Sequence, residues 1–347
     1  MSADREIHTE IAVTTTGGWA RPGWWDVVEP AEAAGRFGPD DERELYDDYC
    51  RLAIDDQERC GLDIVTDGEH RRRGWIENIT AALPGLELQP APRRLGALGY
   101  DMLDVWKVTQ PLDELAWMWD FVGEYRFLRA ATDRRPRVGM PGPYGMTTEL
   151  DFRDVYPSRK ACAAALVPAL RGHIRDLLDA GCDYIQLEEP ITPAVADDDR
   201  TPASMVEIIN QVVDGFDGCT FTVHICFGSF RRLPYAKRTY RWLFPTLLDA
   251  NVHGFSLEFG GREMAEIDLV GQWDPGRILS AGLVDIKTHY AETPDDLVER
   301  LRTCLKYRAP EALEISTDCG LRRVPRNLAL TKMTNAAEAA RRVRRDG

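Results

Sequence analysis

Eight short apolar, largely β-branched runs, most ending in glycine or polar residues and separated mainly by stretches of helical periodicity, restrict this chain more than any other feature. The runs lie at 11–18, 62–69, 137–144, 182–190, 221–228, 254–260, 277–287 and 312–317. Helical spacing of apolar residues marks 40–60, 160–180, 205–216, 243–250, 294–307 and 332–345, and Gly61 stands where a helix C-cap belongs. Strand–helix alternation of this kind builds parallel sheet, because parallel strands need a long crossover. About eight such units predict a closed (β/α)8 TIM barrel. An open doubly wound sheet fits less well, since no glycine-rich dinucleotide turn follows the first run.

Residues 75–135 break the pattern, with Pro84, Pro90 and Pro92 close together and an aromatic stretch at 106–119. They read as an irregular insertion after the second strand that could act as a lid. With no internal repeat and no linker in view, 1–347 reads as a single barrel domain. In a barrel the chemistry gathers at the C-terminal ends of the strands, which directs attention to the polar ends of the runs.

Successive strand side chains point to opposite faces, so His224 and Cys226 share one. Taken alone, such a pair is more often a satisfied core histidine beside a buried cysteine. Glu258 and Cys319 at two further strand ends change the balance. One nitrogen, two sulfurs and a carboxylate suit Zn²⁺, with the carboxylate as the weakly held, exchangeable ligand. Cysteine is used eight times, at 50, 60, 162, 182, 219, 226, 304 and 319, and in a chain this long that is no disulfide framework.

Solvated loop acids are the commonest fate of residues such as Glu69, Glu188 and Asp67. At strand ends, however, carboxylates can hold the ammonium group of an amino-acid substrate. Thr16 and Gly17, ending the first run, join them as candidate substrate contacts, and Glu189 reads as a brace for the loop before Pro190. Past the seventh run, Lys287 and Asp285 are candidates for acid–base work.

A formal charge of −14 excludes a general nucleic-acid binder. No apolar run approaches the roughly 18 to 20 residues of a membrane span. The polar start, Met-Ser-Ala-Asp-Arg-Glu, places the chain in the cytoplasm. An oligomer is compatible with all of this.

Five motifs carry a family likeness: T-D-G-E at 66–69, I-Q-L-E-E-P at 185–190, H-I-C-F-G at 224–228, L-E-F at 257–259 and D-C-G-L at 318–321. Together they resemble the catalytic barrel of the cobalamin-independent methionine synthase family, from Thr14 to the last helix. The resemblance implies that His224, Cys226, Glu258 and Cys319 bind Zn²⁺, and that a substrate thiol displaces Glu258. It also implies that Glu69 and Glu188 contact the amino group of homocysteine. The chain is too short for the second, N-terminal barrel of the larger synthases. Gly142-Pro143-Tyr144-Gly145-Met146-Thr147 stands where the family carries a tryptophan segment, and Lys287 where it carries a proton-donating histidine.

These departures leave the methyl or alkyl donor open between a methylated pterin, a methylated carrier protein and an epoxide. Methylation of homocysteine is the leading expectation. An epoxide-opening thiol alkyltransferase of the coenzyme M type is the alternative, with Arg71, Arg72, Arg73, Arg231 and Arg232 available for a sulfonate. A non-catalytic zinc-stabilised barrel is the third reading.

Overall fold

A computed structural model of the chain describes residues 10–72, 77–90, 105–112, 117–190, 202–229, 234 and 237–346. Its barrel strands are β1 (Ala12–Val13), β2 (Ile64–Val65), β3 (Val138–Pro141), β4 (Tyr184–Glu188), β5 (Thr220–Ile225), β6 (Gly254–Glu258), β7 (Ile278–Val284) and β8 (Leu313–Thr317). Seven of them form one parallel sheet in the order β1-β8-β7-β6-β5-β4-β3. The remaining gap is filled by β2. It pairs in parallel with Arg135–Pro136, which lead into β3, and its two sides are stitched by Asp63 N–H to Val13 C=O and Arg137 N–H to Val65 C=O, both 2.9 Å. The predicted TIM-like barrel is therefore the fold, with all eight expected strands in place.

Alternation along the strands gives the barrel two unlike faces. Val138, Ile185, Leu187, Val223, Ile225, Leu257, Leu279 and Ile315 belong to the main hydrophobic core together with Leu170 and Ile174 of helix Arg159–Asp179, Ile209 of Pro202–Val213 and Leu301 of Pro294–Cys304. The opposite face is polar. Thr16, just past β1, hydrogen-bonds through its hydroxyl to Ser316 at 2.9 Å and to Ser256 of β6 at 3.0 Å; β6 is not a sheet neighbour of β1, so this contact crosses the lumen. Tyr184 of β4 likewise donates to Glu314 of β8 at 2.8 Å. A small separate cluster of Ala12, Ile64 and Tyr184 closes the lumen near the strand starts.

The helices follow their sequence signals. Pro39–Cys60 starts with proline in its first turn and ends on Gly61 at φ 90°, a left-handed conformation glycine adopts without strain. Pro294–Cys304 opens with a Thr293/Asp296 capping box. Helix Trp25–Ala33 has no counterpart among the helices expected from sequence. The helix expected over 243–250 is only a 3-10 turn at Thr246–Asp249; Pro245 lacks an N–H and bars helix before it.

The described residues of 75–135 are less irregular than expected. They contribute helix Glu77–Ala81, antiparallel strands Leu86–Gln89 and Val105–Val108, and helix Phe121–Ala131, and Val105–Val108 also pairs with Leu150–Asp151. Trp117, buried, donates to Ile79 C=O at 2.9 Å and packs against Phe121 and His173. Among the described residues no helix is long and apolar enough to cross a membrane.

Candidate metal centre and substrate site

Parallel register sets the first contact of the site. Glu188 of β4 and His224 of β5 are direct partners across the sheet, both facing the lumen, and Glu188 Oε2 pairs with His224 Nδ1. The other Glu188 oxygen accepts from Gln186 Nε2 at 2.6 Å. This leaves His224 Nε2 as the free end of the ring, buried and without a hydrogen-bond partner. Holding one ring nitrogen by a carboxylate so that the other faces an ion is the usual arrangement of a ligating histidine. Burial works against charge on both groups, but each partner overrides it: the imidazole is held above its ordinary pKa and the Glu188 carboxyl below its own.

Cys226 and Cys319 complete the cluster. Their sulfurs are 3.6 Å apart, close to the about 3.8 Å expected of two thiolates on one tetrahedral ion. The ligand atoms of His224, Cys226 and Cys319 all lie within 4.8 Å of one another. The hydrogen bond from Cys226 pushes the Cys319 thiol down to about 6 against burial, with His224 and Lys287 helping, while burial pushes Cys226 up. The Cys319 loop reaches this position by a backbone crossing: Gly17 has φ 61°, and a Cβ there would lie 3.3 Å from Gly320 Cα. The cluster thus has a metal site's chemistry: one orphaned imidazole nitrogen and two sulfurs, all confined.

Glu258 lies beside the cluster and outside it. Its carboxylate is 3.1 Å from Lys287 Nζ and 3.8 Å from Arg238 Nη1. Lys287 Nζ also donates to Asp318 Oδ2 at 3.1 Å. Burial pushes Glu258 up to about 7 and Asp318 up to about 6, with Lys287 pulling both down. Burial also disfavours the Lys287 ammonium, yet Asp318 and Glu258 overcome that and hold its proton firmly, the reverse of a lysine tuned to give one up. Asp285 accepts from Lys287 N–H at 2.7 Å and so shapes the turn that presents the lysine.

Across the lumen mouth, T-D-G-E forms a strained turn. Gln57 clamps both backbone groups of Thr66, at 2.9 and 2.8 Å, and Asp67 Oδ1 accepts from Glu69 N–H at 2.9 Å. Gly68 and Glu69 take φ 80° and 54°, the second being costly for a residue with a side chain. That turn sends the Glu69 carboxylate over Gly139 of β3. A Cβ on Gly139 would come within 2.7 Å of Glu69 Oε1 and 3.7 Å of Glu188 Oε1. Glu69 and Glu188, far apart in sequence, therefore converge over Gly139.

Thr16 is committed to Ser256 and Ser316, and Gly17 to the crossing with Gly320. Glu189 accepts from Tyr144 N–H at 3.1 Å and so holds the Gly142–Thr147 segment. Arg73, Arg231 and Arg232 lie outside the described residues. Arg71 pairs with Asp47 and Arg72 with Glu69 and Glu124.

Sequence reasoning did not find Gln186, Asp318 or Glu124 as site residues, and it offered Arg72 only as one of five arginines for a sulfonate. Gln186 was accessible by counting alternate positions back from Glu188, and Asp318 by its place beside Cys319. The pairing of Arg72 with Glu124, 52 positions apart, gave no signal.

Comparison with known proteins adds the lineage. The family model described as the catalytic domain of cobalamin-independent synthase matches residues 12–342. A methionine synthase of Pyrococcus abyssi is 28% identical over 340 residues, covering 97% of this chain and 94% of that protein. A methionine synthase of Sulfurisphaera tokodaii is 26% identical over 337 residues, covering 97% and 93%. The fold matches the structure of a B12-independent methionine synthase from Shewanella sp. W3-18-1 in complex with selenomethionine, with a TM-score of 0.81 at 23% identity over 97% of this chain and 99% of that one. Relatives so named favour methyl transfer over the epoxide-opening and non-catalytic readings. With that family model spanning nearly the whole chain, this chain belongs to the cobalamin-independent methionine synthase family and is a methyltransferase.

Proposed function

We propose that the protein methylates the thiol of homocysteine to give methionine, using Zn²⁺ held by His224, Cys226 and Cys319 with Glu258 as the further, exchangeable ligand. The observation that carries this reading is the Glu188–His224 pair. It ties the His/Cys/Cys cluster to a carboxylate that also converges with Glu69 over Gly139. Zinc in that place would lower the pKa of the acceptor thiol so that a thiolate exists at neutral pH.

The chain's own groups do the rest by positioning. Glu69 and Glu188 receive the ammonium group of the amino acid, and this anchors its thiol toward the Cys226–Cys319 side of the mouth. Lys287 balances Glu258 and Asp318, keeping two buried carboxylates from repelling each other. The methyl donor is a methylated pterin or a methylated carrier protein. The inserted segment 75–135 forms part of the single barrel domain and can cover the mouth as a lid. A cytoplasmic location accords with the acidic, hydrophilic sequence.

Zinc-edge X-ray absorption on the purified protein tests the reading directly, before and after adding homocysteine or a sulfonated thiol of similar length. The expected result is two sulfur neighbours rising to three with homocysteine at the lower concentration. No change with either thiol, or a rise that needs less of the sulfonated thiol than of homocysteine, would overturn it. Mass-spectrometric detection of methionine from homocysteine and a methylated donor then identifies the donor.

A further inference from the structure

We propose that Arg72 and Glu124 are positioning residues for the amino-group site, Glu124 offsetting the charge of Arg72 so that the Glu69–Arg72–Glu124 group as a whole stays attractive to a cationic ligand. The inference rests on reading Glu69 as a contact of the substrate ammonium group. Arg72 is buried, and its guanidinium serves two carboxylates at once. Nη2 donates to Glu124 Oε2 at 2.8 Å and to Gly139 C=O at 2.7 Å, while Nη1 lies 3.2 Å from Glu69 Oε1. Glu124 is also buried, and its other oxygen accepts from Trp119 Nε1 at 3.2 Å.

The remaining charges around this group are Asp67, Glu188 and Arg322. Arg322 donates to the carbonyls of Arg72 at 2.7 Å and Glu69 at 2.8 Å, which locks the backbone of the strained turn. Asp67, Glu69, Glu124 and Glu188 are all buried here; Arg71 and Arg137, which act on Asp67 and Glu188, are themselves paired with Asp47 and Glu314, so Arg72 is the cation that Glu69 and Glu124 share.

The arithmetic of one arginine between two acids decides how Glu69 behaves. Without Glu124, Arg72 would pair with Glu69 alone and the two charges would cancel. An arriving ammonium would then meet a neutral pair. With Glu124 in place, the trio carries a surplus negative charge beside Gly139, where nothing bulkier than a hydrogen separates the Glu69 carboxylate from the strand. Glu124 sits on helix Phe121–Ala131, within the segment inserted between β2 and β3. That segment therefore contributes a charge to the site.

The test uses the zinc-loaded full chain and calorimetric titration with homocysteine and with 4-mercaptobutanoate, which has the same thiol chain without the ammonium group. Wild type should bind homocysteine more tightly. Glu124→Gln keeps the shape but removes the charge, and its one amide oxygen can accept from Trp119 or from Arg72 but not in place of both carboxylate oxygens. It should cut the homocysteine preference roughly tenfold and leave 4-mercaptobutanoate binding within about twofold. Glu124→Asp keeps the charge in a looser cavity and should retain most of the preference.

An unchanged preference in E124Q with a wild-type melting curve would overturn the inference. So would a preference lost as fully in E124D as in E124Q, since packing and not charge would then be responsible. A wild type that does not prefer the aminated thiol would instead sink the ammonium-site reading of Glu69 itself, a result visible without any variant.

Discussion

On β5, Phe221, Val223 and Ile225 sit in the hydrophobic core under the helices, while Thr222 and His224 face the lumen, and all five are buried. The same contrast runs round the barrel, from Leu187 against Glu188 to Leu257 against Glu258 and Ile315 against Ser316. One face follows the rule that buried side chains are apolar. On the other, burial is tolerated because cross-lumen partners replace water, as in Thr16 with Ser256 and Tyr184 with Glu314. Neighbouring residues on one strand can therefore be changed with opposite consequences, one for stability and the other for chemistry.

The strongest way to break that comparison is at the metal-ligand cluster. Cys226→Ser should lower methyl transfer roughly a thousandfold and abolish stoichiometric zinc in the purified protein, because one of two confined sulfurs is gone. A variant that kept its zinc by elemental analysis would show that Cys226 is not a ligand. On the outward face, Leu187→Ala should cost about 2–5 kcal/mol in denaturant unfolding while the folded fraction keeps its zinc content and its KM. A large loss of zinc in folded Leu187→Ala would mean that the two faces are not separable.

An intermediate effect is expected where the inward face supports the cluster without joining it. Glu188→Gln should weaken zinc binding by about 10- to 100-fold in competition with a chelator, since the imidazole loses its anionic partner. Unchanged affinity would show that Glu188 serves the substrate alone.

The smallest effect concerns a polar group that belongs to neither face. His70 is buried against Tyr49, ring centroids 5.0 Å apart, and its Nδ1 has no partner. Burial holds it well below its ordinary pKa, with Arg322 adding to the effect, so it is neutral in the folded chain. The unfolded chain protonates it below about pH 6.5, so stability is flat above that value and falls as pH drops, by at most about 1.4 kcal/mol per pH unit. Melting temperature followed from pH 8 to 5 should fall less steeply in His70→Phe than in wild type. Parallel curves would exclude His70 as the cause.

Much of this was legible because alternation and helical spacing are local signals. The eight strands, the helices at 40–60, 160–180 and 294–307, and the joint facing of His224 and Cys226 follow from residues within one turn or two positions of each other. The hairpin Leu86–Gln89 with Val105–Val108 was not legible: its first strand is largely exposed and carries no continuous apolar run. The grip of Arg72 on Glu124 and the approach of Lys287 to Glu258 depend on how distant strand ends close in space, and no periodicity encodes that. Glu188 was singled out for the right neighbourhood. Its bond to His224 emerges only once β4 and β5 are in register.

That bond has a consequence for how the two ends of the site communicate. Glu188 has one carboxylate to divide between the imidazole of the His/Cys/Cys cluster and, on the function proposed above, the ammonium group beside Glu69. Any ligand that draws on it at one end alters its hold at the other, and by thermodynamic reciprocity the influence is equal in both directions. On the function proposed above, the coupling between ion affinity and amino-acid affinity would be a single quantity, measurable from either side, and it would pass through the width of one pair of strands.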